Sequence, residues 1–443
     1  MKIPKPAYEI LNRLNKSGYE AYLVGGCVRD ALTGRDSGDI DITTSALPRQ
    51  VKAVFADCKV AQTGIKHGTV TVFWGDIPAE ITTFRTESAY SDLRHPDSVN
   101  FTDKLSRDLS RRDFTMNALC ADKNGEITDL FGGAEDIKNR VIKCIGDPDE
   151  RFSEDRLRIL RAVRFDAVLG FEIEQKTADS LLKNREKLKS IAAERIYAEL
   201  SKALCGDNIQ KVLIDYADIF TRVIPELEPM RNFRQKNPHH IYDVYTHTAI
   251  AVQNTPPKPL LRLAALLHDV GKPSTFFTDE SGVGHFYGHS AKGAEIAREI
   301  MKRLKTSNRD RDYVITAVKY HDVQIEPTEK AVRKLIAKHG ADFAKDLISL
   351  KRADNRRQNT RLYDRTEYYD RIDALIDGII ESRRCLSLKD LAVNGADLMR
   401  AGIPRGKKLG DILNLLLADV IEGNLPNEKS RLVKKATEIY NEG

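Results

Sequence analysis

The chain has 443 residues, a net charge of +6, 41% hydrophobic and 31% charged residues, a globular mixture long enough for about three domains and unlike a disordered chain. Its longest apolar runs, such as 263–267 and 415–418, fall far short of the roughly 18 residues a membrane span needs. The charged start at Met1 to Pro6 holds no apolar signal core, so a cytoplasmic protein without membrane attachment is expected. In chain order, an amphipathic helix over 7–16 leads to a strand, Ala21 to Val24, a glycine turn, and a second helix, Val28 to Leu32. β-rich runs follow at 39–43, 69–74 and 79–84. From about 150 onward helical periodicity dominates, broken near Pro225, Pro256 to Pro259, Gly282 to Gly288, Pro327 and Gly402 to Gly406. The expected fold is α+β: a small N-terminal sheet domain followed by a long all-α body. The six cysteines, at 27, 58, 120, 144, 205 and 385, show no CxxC spacing, which argues against a disulfide framework or a zinc knuckle.

The first chemical signal is Gly25-Gly26 between the first strand and its helix. Two glycines let a backbone approach a phosphate closely, the helix start supplies N–H donors, and Arg29 adds a charge-assisted donor. The second is Asp39-Ile40-Asp41. Residues i and i+2 of a strand share a face, and two carboxylates there repel unless cations neutralise them. Mg²⁺ ions would do so and would also clamp a pyrophosphate leaving group. Glu80, in the run 79–84, is a candidate third carboxylate. Farther on, Asp155, Arg158, Arg161 and Arg164 recur at a spacing of three, which predicts one helix face. A carboxylate beside a guanidinium there would present acceptors and donors in one plane, matching the Watson–Crick edge of a base.

The segment 23–44 resembles the signature of the class II tRNA nucleotidyltransferase and bacterial poly(A) polymerase family, within the polymerase-β-like nucleotidyltransferases. The resemblance continues in order. Residues 111–118 (RRDFTMNA) match the family's RRDFTxNA motif, 152–161 its EDxxR helix, with Arg156 where a proline is usual, and 194–200 its downstream helical element. It implies that Asp39 and Asp41 are catalytic and bind Mg²⁺. It implies that Arg112 and Asp113 contact ribose and that Asp155 and Arg158 read the base, leaving Arg161 and Arg164 for phosphate or primer. Residues 63–72 resemble the tRNA-specific branch more than the poly(A) branch, and the C-terminal segment lacks a long basic tail. The loop 85–101 is present in full, with Asp92 and Arg94 resembling the lever residues that A addition needs. The expected reaction is template-free addition of CMP, CMP and AMP to a tRNA 3′ end from CTP and ATP. Addition of A alone and poly(A) synthesis stay open as alternatives.

In the helical half, His247, His268-Asp269, His289, His321 and Asp354 fall on successive helical segments, and 266–273 (LLHDVGKP) resembles the HD phosphohydrolase superfamily. This implies a divalent transition metal or Mg²⁺ on His247, His268, Asp269 and Asp354, with His289 and His321 as candidates for a second metal or a phosphate. An HD metal phosphohydrolase as the main activity is therefore a further alternative. The expected division is a nucleotidyltransferase head over 1–140, a nucleotide-selecting neck over 141–223, an HD-type domain over 224–375 and a tRNA-binding tail over 376–443. The net positive excess lies in the third segment, notably 351–371 with Arg356, Arg357 and Arg361, and is expected to help hold RNA in a salt-sensitive way.

Overall fold

A computed structural model describes residues 1–35, 38–61, 64–87, 99–237, 241–355, 364–381 and 387–442. It divides into two compact units, residues 1–228 with 303–306 and residues 229–302 with 307–443. Asp92 and Arg94 lie outside the described residues, as do Arg356, Arg357 and Arg361. Among the described residues no helix is long and apolar enough to cross a membrane.

The first unit opens with α1 (Lys5–Lys16), whose Ala7, Ile10, Leu11 and Leu14 recur at helical spacing and are fully buried. There follow β1 (Ala21–Val24), α2 (Gly26–Leu32), β2 (Ile40–Thr44), α3 (Pro48–Val54), β3 (Lys59–Ala61), β4 (Thr69–Trp74) and β5 (Ile77–Thr83). The hairpin β6 (Arg85–Glu87) and β7 (Val99–Phe101) precedes α4 (Leu105–Ser110), β8 (Cys120–Ala121), β9 (Ile127–Thr128) and α5 (Gly133–Lys138). Seven strands form one sheet in the order β3-β4-β5-β2-β1-β8-β9. Within it β2 and β5 run parallel, and Asp41 stands beside Glu80 in their register. Alternation buries Val70 and Val72 on β4 and Ala79 and Ile81 on β5. Trp74, at the end of β4, donates its indole N–H to Glu9 Oε2 at 2.7 Å and meets Phe55 edge-on.

Helices complete this unit: α6 (Pro148–Glu154), α7 (Leu157–Leu169), α8 (Gln175–Lys183), α9 (Ala193–Leu204), α10 (Ile209–Asp215) and α11 (Ala217–Val223). The fold is α+β with a largely helical body, as expected, and two short strand pairs interrupt the helices. β10 (Val141–Ile142) pairs in parallel with β11 (Glu172–Ile173), and the second unit carries the antiparallel pair β12 (Phe277–Thr278) and β13 (Gly284–His285). Strands of two residues are too short to leave an alternation in the sequence.

The second unit is otherwise helical: α12 (Val244–Asn254), α13 (Pro259–Leu267), α14 (Lys272–Thr275), α15 (His289–Arg303), α16 (Asn308–Tyr320), α17 (Glu329–His339), α18 (Ala341–Asn355) and α19 (Thr366–Glu381). The last three, α20 (Gly395–Arg400), α21 (Lys407–Glu422) and α22 (Lys429–Glu442), pack around a core that includes Leu398, Leu416 and Leu432.

Candidate active site and metal cluster

A cleft of about 940 Å³ in the first unit is lined by Gly25, Gly26, Arg29, Asp41, Arg112, Asp113, Asp155, Arg158, Arg161 and Arg164. Asp41 comes from β2, Gly25, Gly26 and Arg29 from the turn and helix α2 that follow β1, and the last four from the helical segment around α7. Gly25 has φ +78°, a conformation that favours glycine, and a Cβ there would lie 3.1 Å from the Arg112 guanidinium. The turn is thus tight because Arg112 lies against it.

Asp41 is half-buried on β2. Burial, then the charges of Glu80 and Asp39, raise its carboxyl to about 6, with Arg112 pulling the other way. Such a group is short of positive charge, and the carboxylates of Asp39, Asp41 and Glu80 supply the oxygen donors that suit Mg²⁺. Asp39 lies just before β2 and is exposed, outside the cleft lining. Glu80, the candidate third carboxylate, stands next to Asp41 across the strand pair.

The basic residues are not a free stripe. Arg29 donates to Asn117 Oδ1 at 2.7 Å and to Asp30, and its guanidinium lies 5.0 Å from the Phe165 ring centre. Arg112 lies 3.7 Å from the buried Asp108, which Arg111 holds at 2.9 Å. Asp113 accepts from Arg161 at 2.7 Å, from Asn117 at 3.0 Å and from its neighbour's backbone N–H at 2.8 Å. Burial alone would push its carboxyl up, but Arg161 and Asn117 outweigh that and hold it well below the usual range. Arg158, 6% exposed, pairs with Glu154 at 2.5 Å and donates to the Arg111 carbonyl at 2.8 Å. Arg164 lies 3.1 Å from Glu199 and 4.1 Å from the Phe165 ring centre.

Asp155 departs from the expected face. It sits between α6 and α7 with extended backbone, φ −132° and ψ 105°. Its Oδ1 accepts the Leu157 N–H at 3.0 Å, a helix-capping contact, and its Oδ2 pairs with Arg195 at 2.9 Å. Asp155 and Arg158 therefore line one cleft but bond to different partners. Sequence reasoning gave no role to Arg111, Asn117, Glu154, Phe165, Arg195 or Glu199. Arg111 and Asn117 stand in the RRDFTMNA run, Glu154 in the 152–161 motif, and Arg195 and Glu199 in the downstream element, so the motifs already contained all of them but Phe165.

Removing Arg161 tests this frame. Arg161→Met leaves a 7%-exposed carboxylate without its cation and is expected to lower stability by about 2–3 kcal/mol at pH 7. Asp113's folded pKa is depressed, so this stabilisation exists above the unfolded pKa and fades as pH falls through the acid range. Urea denaturation at pH 7 and pH 3, below the ordinary carboxyl value of 3.8, should show the larger loss at pH 7; equal losses would mean the pair contributes no such term.

In the second unit, His247 on α12, His268 and Asp269 just after α13, and Asp354 on α18 bring ligand atoms within 4.8 Å of one another, and Asp269, His289 and His321 form a second such group. Asp269 belongs to both. His247 Nε2 lies 2.8 Å from Asp354 Oδ1, and His268 Nε2 lies 3.2 Å from Asp269 and 3.4 Å from Asp354. His289 and His321 each lie 3.7 Å from Asp269 Oδ1. The rings are oriented from behind: Nδ1 of His268, His289 and His321 each donates to the carbonyl three residues earlier, at 2.7, 2.8 and 2.6 Å. This turns each Nε2 inward, the usual arrangement behind metal-binding imidazoles. Nε2 of His289 and His321 then face each other at 3.2 Å, where two lone pairs repel unless a proton or cation lies near. The fully buried His268 Nε2 makes no well-aligned hydrogen bond to either carboxylate beside it. Burial opposes charge on His268, yet Asp269 and Asp354 outweigh it and push it up to about 10. The donors fit a divalent cation. Lys272 holds Asp269 at 2.7 Å, and Asp269, Lys272, His289, His321 and Asp354 line a cavity of about 510 Å³.

Residues 21–143 match the family model of the Poly A polymerase head domain, 170–231 the RNA- and SrmB-binding site model of polymerase A, and 288–436 the model of tRNA nucleotidyltransferase domain 2. The chain is similar to the CCA-adding enzyme of Ligilactobacillus salivarius, 35% identical over 99% of this chain and 97% of that protein. Its likeness to the enzyme of Limosilactobacillus fermentum is 34% over 98% and 97%. Among solved structures, the Bacillus stearothermophilus CCA-adding enzyme in complex with CTP superposes with a TM-score of 0.71 at 29% identity, covering 99% of this chain and 98% of that one. Likeness of this extent, running from end to end at over a third identity, places the chain in the family of CCA-adding enzymes.

Proposed function

We propose that the chain completes tRNA 3′ ends, adding CMP, CMP and AMP from CTP and ATP without a nucleic-acid template and releasing pyrophosphate. The observation that carries this reading is one cleft holding the Asp41 strand edge, the Gly25 turn and the α7 guanidiniums. Asp39 and Asp41 would hold Mg²⁺, which when bound neutralises the phosphates and lowers the barrier to attack. The chain's own residues position the reactants. Gly25 and Gly26 leave room for the triphosphate, and Arg112 supplies positive charge beside it. Asp113, fixed by Arg161 and Asn117, is set to receive a ribose hydroxyl. Asp155 and Arg158 read the base, for which Asp155 must loosen its contact with Arg195. The primer 3′-hydroxyl oxygen bonds to the α-phosphorus as the bond to the pyrophosphate breaks. Positioning and charge stabilisation carry such a reaction, so no protein nucleophile is required.

For the second unit we propose that the His and Asp cluster holds one or two divalent metal ions and works as an HD-type phosphohydrolase site. The observation favouring it is the inward set of Nε2 atoms around Asp269. The proposed division of labour gives chemistry to 1–140, base selection to 141–223, the metal cluster to 224–375 and tRNA contact to 376–443.

Incubation with tRNA lacking its last three nucleotides should give full incorporation only when CTP and ATP are both present. C alone should stop after two additions. Incorporation confined to A on tRNA already ending in CC would reduce the reading to A addition, and long A tails on other RNA would replace it with poly(A) synthesis.

A further inference from the structure

The β12–β13 hairpin carries three rings that the metal cluster does not use. Phe277 and His285 stack across the pair, centroids 5.3 Å apart and planes 27° apart. Tyr287 stacks on His285 at 5.5 Å and 22° and lies 5.5 Å from Phe277. Tyr287 is 75% exposed and Phe277 44%, so Tyr287 forgoes most, and Phe277 nearly half, of the burial that normally stabilises an aromatic side chain. The hairpin is nonetheless well braced. Asp279 Oδ1 accepts from the backbone N–H of Ser281 and of Val283, both at 3.0 Å, and its Oδ2 takes His285 Nε2 at 2.7 Å. The imidazole is thereby held by its edge, and the three ring centroids form a near-equilateral triangle, a cluster and not a continuous stack. Gly284 donates to the Lys236 carbonyl at 2.8 Å, and a Cβ there would fall 2.1 Å from the Gln235 carbonyl oxygen. Gln235 in turn takes Lys272 at 3.0 Å. The ring cluster is thus pinned to the segment that orients Asp269. His285 and Tyr287 line the same 510 Å³ cavity as Asp269, Lys272, His289 and His321.

We propose that this hairpin is a nucleobase platform, on which a phosphate ester bearing a base enters the cavity phosphate first and stacks its base on Tyr287. The inference rests on reading the His and Asp residues as a metal cluster. A flat, polarisable base covers the exposed face of Tyr287 whatever its identity, because every base has a π-face. A sugar phosphate without a base would reach the same cations and Lys272 but leave the rings in water. The chemistry is shared by a free nucleotide and by an RNA end, and the experiment separates them.

The full chain loaded with Mn²⁺ is photocrosslinked to 5-iodouridine 3′-monophosphate or to a short RNA ending in 5-iodouridine, and the adduct is located by peptide mass spectrometry. The expected adduct is on Tyr287 or Phe277, with its yield falling tenfold or more in Tyr287→Ala, holding in Tyr287→Phe, and resisting competition by ribose 5-phosphate. A higher yield with the RNA assigns the source to an RNA end; a higher yield with the monophosphate assigns it to a nucleotide. Adducts confined to the first unit, or a yield unchanged in Tyr287→Ala, overturn the platform. Metal content is measured separately in His268→Ala: retention of the metal defeats the cluster reading, while the crosslink still decides the platform.

Discussion

Replacing Asp41 with Asn is expected to abolish nucleotide incorporation while making the apo fold more stable. The loss should reach at least about a thousandfold for both C and A, the scale associated with removing a principal electrostatic element of such a site. The stability gain follows from the raised carboxyl. Ionising a group whose folded pKa stands at about 6 against an ordinary 3.8 costs the native state, up to about 3 kcal/mol for a shift of that size. The sign is fixed: the favourable contribution of the protonated form is complete below the unfolded pKa and is lost as pH rises through 6. Asn carries no such loss. Urea denaturation without Mg²⁺ should show Asp41→Asn more stable than the native chain at pH 8, with the difference shrinking towards pH 4. Addition of Mg²⁺ should stabilise the native chain and narrow the gap, since a ligand bound only by the folded state adds stability. A variant less stable than the parent at pH 8 would mean the carboxylate is not strained for want of a cation.

The second large effect is expected at Asp269. It joins both groups of candidate ligands, so Asp269→Asn should deplete both ions, whereas His289→Ala should deplete only one. It also leaves Lys272, 5% exposed, beside a neutral amide. Uncoupling one partner of a buried ion pair costs about 3–5 kcal/mol, so the variant should unfold at markedly lower urea even in chelator. Metal content per chain and the urea midpoint check this together. A variant that keeps two ions would remove Asp269 from the ligand set, and an unchanged midpoint in chelator would show the Lys272 contact to be incidental.

The strand-borne features were the most legible. Ala21–Val24 and Thr69–Trp74 are strands with the bounds that hydrophobic alternation predicts, and Asp41 was readable as a strand carboxylate, although Asp39 lies just before β2. The helical stripe was readable in part. Arg158, Arg161 and Arg164 share α7, but a spacing of three cannot reveal that the chain breaks its helix at Asp155 to cap the next one. The partners of those arginines lay beyond local pattern: Arg161 meets Asp113 48 residues away and Asp155 meets Arg195 40 residues away. Both are tertiary facts. The six cluster residues were found because a resemblance supplied their order. The ring cluster was not, because two-residue strands leave no periodicity and Phe277, His285 and Tyr287 belong to no quoted motif.

The anchoring of Trp74 at the end of β4 has a practical consequence. It is the chain's single tryptophan and lies in the first unit, tied to Glu9 and Phe55. Selectively excited indole emission therefore watches the N-terminal sheet alone, while far-ultraviolet dichroism is weighted towards the helices of both units. One titration read by both signals would separate the two melting events without labels, and would show whether a lesion such as Asp269→Asn stays local or spreads along the chain.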